Sequence, residues 1–155
     1  MKVLFVCTGN TCRSSMARAM AARELERVSI KGVELLSAGT NTISGLPASH
    51  NAVEAMLEIG IDLKGHRSTI LDKKVVEESD LILTMTAGHR RVVYALCPEA
   101  GPKILTLAEY SRMGGDVQDP YGGDLEVYRR VADQLEGMIR LAVDRLANEC
   151  RRVSS

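Results

Sequence analysis

Short apolar runs alternate along this chain with longer stretches whose apolar positions recur at helical spacing. The first run, Val3-Leu4-Phe5-Val6, places four bulky residues in a row, the pattern of a strand buried on both faces. It breaks into a polar loop and reopens at Met16, Met20 and Leu25 with Ala17 and Ala21 beside them, a helix with Ser14 or Ser15 as its natural N-cap. Residues 33–36 read as a second strand ending in Ser37-Ala38-Gly39. After a loop with Gly45 and Pro47, Ala52, Val53, Met56 and Leu57 mark a helix stopped at Gly60. A short helix is expected within 71–78, a third strand at 81–84, a helix around 92–96 and a fourth strand at 103–107. The last helix begins near Asp124 and runs towards Cys150, with Tyr128, Val131, Leu135, Met138, Ala142 and Leu146 on one face.

Strands separated by helices imply parallel pairing through right-handed crossovers. The expected fold is α/β, a doubly wound four-stranded parallel sheet with helices on both faces. No linker, repeat or low-complexity tract interrupts it, so one domain over 1–155 is expected. Functional loops of such a sheet gather at the carboxyl ends of its strands, which lets a late loop meet the one after the first strand.

Composition narrows the partners. Lys plus Arg and Asp plus Glu balance at 20 each, so no global field favours nucleic acid or an acidic membrane surface. The opening apolar run is too short for a signal peptide, and no run approaches a membrane span. Four cysteines, two of them in one loop, suit a reducing compartment, and a cytoplasmic location is expected.

The chemistry concentrates in Cys7-Thr8-Gly9-Asn10-Thr11-Cys12-Arg13-Ser14. A strand, a tight loop and a helix N-terminus converge backbone N–H groups and positive dipole on one point, an anion site. Neither a Walker motif nor G-x-G-x-x-G is present. Instead Cys7 and Arg13 bracket the loop: the guanidinium could take a phosphate through two parallel hydrogen bonds with the sulfur beneath the phosphorus. The same groups favour a thiolate, hence a nucleophile.

These residues resemble the signature loop of the low-molecular-weight protein tyrosine phosphatases, C-x5-R-S near the N-terminus. The resemblance continues at Ser37-Ala38-Gly39, Gly65-His66-Arg67-Ser68 and Asp119-Pro120-Tyr121-Gly122-Gly123, so it covers nearly the whole chain. It implies Cys7 as nucleophile, Arg13 as phosphate clamp, Asp119 as general acid and then base, and a phosphocysteine intermediate. Thr8, Gly9, Asn10, Thr11, Cys12, Arg13, Ser14 and Tyr121 would contact phosphate or substrate. Ser14 would steady the sulfur, and Ser37 and His66 would hold Asn10, itself suited to a left-handed conformation. Phosphorylated proteins would be the substrates, and no metal or organic cofactor is required. Ser15 departs from the family's usual Pro at the first helical position.

Within the family, Thr11 and the Gly122 after Tyr121 resemble the protein-arginine phosphatase branch, since tyrosine enzymes generally carry an aliphatic residue and a second aromatic there. A tyrosine phosphatase is the alternative, and a non-catalytic phosphate-recognition module the alternative of another class. A thioredoxin-coupled arsenate reductase needs two further cysteines in the segment after the middle of the chain, where only Cys97 is available. His66 could also be a turn histidine satisfied by a neighbouring carbonyl. His50 and His89 are expected to face solvent, Cys97 and Cys150 to be packing or surface residues, and Met16 and Met20 to lie in the core. Cys7 and Cys12 lack a second pair at zinc-ligand spacing.

Overall fold

The computed structural model describes residues 1–154. Its elements follow in the order β1 (Lys2–Cys7), α1 (Arg13–Arg27), β2 (Glu34–Gly39), α2 (His50–Glu58), α3 (Lys73–Glu78), β3 (Leu81–Thr84), α4 (Ala87–Leu96), β4 (Ile104–Thr106), α5 (Leu107–Ser111) and α6 (Leu125–Val153), with a 3-10 turn over Pro98–Lys103. The strands pair in parallel in the order β2-β1-β3-β4. The chain therefore steps to one side of β1 and then returns to its other side. In sheets of this kind, ligand sites lie outside the carboxyl ends of the strands where the order reverses, here beside β1.

Side-chain alternation explains why β1 is apolar throughout. Val3, Phe5 and Cys7 face a cluster built with Met16 and Met20 of α1 and Leu135 and Ile139 of α6. Leu4 and Val6 face the opposite layer, with Val76 of α3 and Val93 of α4. The face of α6 read from the sequence, Tyr128 through Leu146, is buried at every position named. Among the described residues, no helix is long and apolar enough to cross a membrane.

Several element ends differ from expectation, each for a local reason. Helix α1 starts at Arg13 with Cys12 in the cap position and no side-chain cap, so Ser14 and Ser15 are not N-caps but buried first-turn residues. Strand β2 includes Ser37-Ala38-Gly39, because its ladder with β1 continues to the Cys7–Gly39 pair. Helix α4 begins at Ala87, where the Thr86 side chain accepts from His89 N–H. Strand β4 stops at Thr106, since Thr106 and Glu109 form a reciprocal capping box that starts α5 at Leu107.

Candidate active site

The loop over residues 7–13 is shaped by where its carbonyls go. Cys7 O accepts from Thr40 N–H at 2.9 Å, Thr8 O from Asn41 N–H at 3.0 Å and Thr11 O from Ser49 N–H at 3.0 Å. Asn10 O accepts from His66 Nε2 at 2.5 Å, and Cys12 O from Met16 N–H and the Ser15 hydroxyl. With the carbonyls bonded outward, the loop N–H groups turn inward, towards the uncapped start of α1. Asn10 supports the curl by adopting φ 57°. Gly39 is required beside it, because a Cβ there would lie 2.5 Å from Thr8 O.

Inside this ring Cys7 is buried, and its sulfur lies 2.9 Å from the Ser14 hydroxyl. Asn10 Nδ2 donates to that same hydroxyl at 2.8 Å, which leaves the single Ser14 proton for the sulfur. Asn10 is fully buried. Its Oδ1 accepts from Thr69 N–H at 2.8 Å and its carbonyl from His66, whose pKa is lowered first by burial. The carbonyl that satisfies His66 is thus that of Asn10 itself, joining its two expected roles. Ser37, expected to share the task, is not bonded to Asn10; it pairs with Phe5 in the β1–β2 ladder, and the Thr69 backbone takes its place.

Asp119 reaches the loop from more than a hundred residues away. Its Oδ2 is 3.7 Å from Arg13 Nη2, while Arg13 Nη1 donates to Val117 O at 3.1 Å. The Arg13 side chain is 6 % exposed and that of Asp119 60 %, so the cation is buried and the carboxyl faces solvent. Tyr121 donates its backbone N–H to Asp119 Oδ1 at 3.0 Å and displays its own ring at 88 % exposure. Thr11 is half-buried, and its hydroxyl has only a weak contact with Cys12 sulfur, at 3.8 Å. Cys12 sulfur also lies 3.4 Å from both the Ser49 and Tyr128 hydroxyls, and burial followed by the Cys12 contact pushes the Tyr128 phenol up to about 12.

His89 corrects the expectation that it faces solvent. It is 7 % exposed, with Nε2 at 2.8 Å from the Thr8 hydroxyl and Nδ1 at 2.9 Å from that of Thr86. Burial, then the nearby Arg13 charge, lowers its pKa to about 4, so the ring is neutral. His50 is exposed, as expected. Cys97 is buried between Leu4, Val6 and Val93, and Cys150 is half-buried on α6. Among the described residues, Glu77, Cys97 and Glu99 bring three ligand atoms together, near the amino ends of the strands; Lys73 sits 3.3 Å from Glu99. Among the described residues, Cys7 and Cys12 belong to no such group.

The description "Low molecular weight phosphotyrosine protein phosphatase" matches residues 2–152. The chain belongs to this family. It is 42% identical over 149 residues to a protein-arginine-phosphatase of Geobacillus stearothermophilus, covering 96% of this chain and 97% of that one. The YwlE arginine phosphatase, captured with a phosphorylated active-site serine, superposes with a TM-score of 0.89 at 37% identity, covering 94% of this chain and 95% of that one. The low molecular weight protein tyrosine phosphatase from T. tengcongensis superposes with a TM-score of 0.86 at 42% identity, covering 96% and 99%. The relatives thus carry both substrate names, and the match to the family spans the loop of residues 7–14.

Proposed function

We propose that this phosphatase is a protein-arginine phosphatase that hydrolyses phosphoarginine through a phosphocysteine at Cys7. The observation that carries the catalytic assignment is the meeting of Asp119 with Arg13 over the loop that holds Cys7. The thiolate attacks phosphorus as the P–N bond to the guanidino nitrogen breaks, and Asp119 gives its proton to that nitrogen. Arg13 and the inward N–H groups hold the equatorial oxygens. Water then attacks the phosphocysteine, Asp119 takes its proton, the S–P bond breaks, and the Ser14 hydroxyl receives the returning thiolate.

The substrate class rests on two side chains. The Thr11 hydroxyl has no backbone partner and is available to a polar leaving group, and the exposed Asp119 carboxyl beside Arg13 is available to a guanidinium. Gly122 follows Tyr121, so one aromatic ring rather than two lines that side. The exposed Tyr121 ring is the observation that favours a phosphotyrosine enzyme as the second reading. A phosphate-recognition module would need neither the Cys7–Ser14 contact nor an acid. We further assign 1–155 to one domain acting in the cytoplasm, a reading supported by the family match over 2–152 and four free thiols.

Rapid mixing with a phosphoarginine peptide tests the pathway. Dephosphorylated peptide should appear in a burst equal to the enzyme concentration before phosphate does, and Cys7→Ser should abolish turnover. Absence of phosphoenzyme together with an active Cys7→Ser variant overturns it.

A further inference from the structure

The loop that presents Asp119 is held at its base by a side chain from outside the site. Between Arg112 and Asp119 every residue but Val117 is exposed, so side-chain burial does little to fix this segment. Val117 donates its N–H to Met85 O and gives its carbonyl to Arg13. The residues on either side of it are gripped by one amide, that of Gln134 on α6: Oε1 accepts from Gln118 N–H at 3.1 Å and Nε2 donates to Asp116 O at 3.1 Å. A single side chain thus closes a ring around Val117, and its helix is packed against the core at Leu135.

We propose that Gln134 is a positioning residue for the general acid, setting through residues 116–118 where the Asp119 carboxyl stands relative to Arg13. Both amide atoms are needed, one as acceptor and one as donor, which suits Gln and no isosteric replacement. The proposal rests on the reading of Asp119 as the acid. A carboxyl displaced by about an ångström loses much of its proton-transfer efficiency, while the bond from Val117 N–H to Met85 O and the burial of Val117 keep the carbonyl that holds Arg13 in place.

The test is a double-mutant cycle read through kcat/KM on two substrates, one with a leaving group that needs a proton and one aryl phosphate whose leaving group does not. Gln134→Ala should lower kcat/KM about ten-fold on the first and leave the second within about two-fold. In an Asp119→Asn background the Gln134→Ala loss should vanish, because the group it positions is gone. Gln134→Glu, which keeps the acceptor and loses the donor, should fall between Gln and Ala. If Gln134→Ala lowers both substrates equally, or its loss persists with Asp119→Asn, Gln134 acts on general loop stability and the proposal fails. If Asp119→Asn itself shows no leaving-group dependence, the acid assignment fails instead.

Discussion

The His89 Nε2 lies 2.8 Å from the Thr8 hydroxyl, tying a buried ring on α4 to the loop that follows Cys7. Thr86 accepts the His89 backbone N–H and its hydroxyl also meets Nδ1 at 2.9 Å, so both ring nitrogens are hydrogen-bonded. One neutral imidazole joins the ends of β1 and β3.

That neutrality has a consequence for stability. In the unfolded chain His titrates near 6.5, whereas in the fold His89 titrates near 4 and His66 is also lowered. Above about pH 6.5 both states are neutral and the contribution is fully present; below it the unfolded chain takes up protons that the fold does not, so stability falls towards pH 4. Urea unfolding between pH 7.5 and 5 should show this fall, and His89→Asn should flatten it by up to one proton's slope, about 1.4 kcal/mol per pH unit. An unchanged slope would show that His89 is not held neutral by the fold.

His89 also marks the limit of what could be read from the sequence. The sheet, the loop after β1 and the α6 stripe were legible because each is a local pattern: a doubly buried strand, a Cys and Arg bracketing a turn, a 3.6-residue period. The Thr8–His89 contact spans 81 positions and exists only because β1 and β3 are neighbours. Its one local cue was the cap, Thr86 three residues before His89. The error at Ser37 has a related cause: the group that replaces it is the backbone N–H of Thr69, a donor every residue but Pro carries and no sequence pattern reveals.

Gly39 should tolerate no side chain. A Cβ would sit 2.5 Å from Thr8 O and 3.1 Å from Asn10 N, so either β2 or the loop must shift. Gly39→Ala should cost about 1–3 kcal/mol in thermal or urea unfolding. It should lower kcat/KM on every phosphate ester, independent of leaving group. Parent-like stability and activity would mean that the loop is more pliant than its hydrogen bonds imply.

Asp119→Asn should slow turnover of phosphoarginine by roughly 10²- to 10⁴-fold. The loss should shrink on an aryl phosphate with a good leaving group, as read by steady-state kcat/KM. Equal losses on both would remove Asp119 from the acid role.

Oxidation should be reversible. Cys7 and Cys12 share one tight loop, and a thiolate beside a second thiol can close a disulfide before over-oxidation. Peroxide followed by thiol should restore the parent. The Cys12→Ser variant should lose activity permanently under the same treatment, and full recovery of that variant would assign Cys12 to packing with Ser49 and Tyr128 alone.

The proposed choice of phosphoarginine turns on Thr11. The direct measurement is kcat/KM on two peptides identical except for phosphoarginine or phosphotyrosine, with the parent and Thr11→Ile side by side. The parent should prefer phosphoarginine, and Thr11→Ile should shift the ratio towards phosphotyrosine by about ten- to two-hundred-fold, the range one altered side-chain contact supplies. A parent that prefers phosphotyrosine, or a ratio untouched by Thr11→Ile, would contradict the arginine assignment.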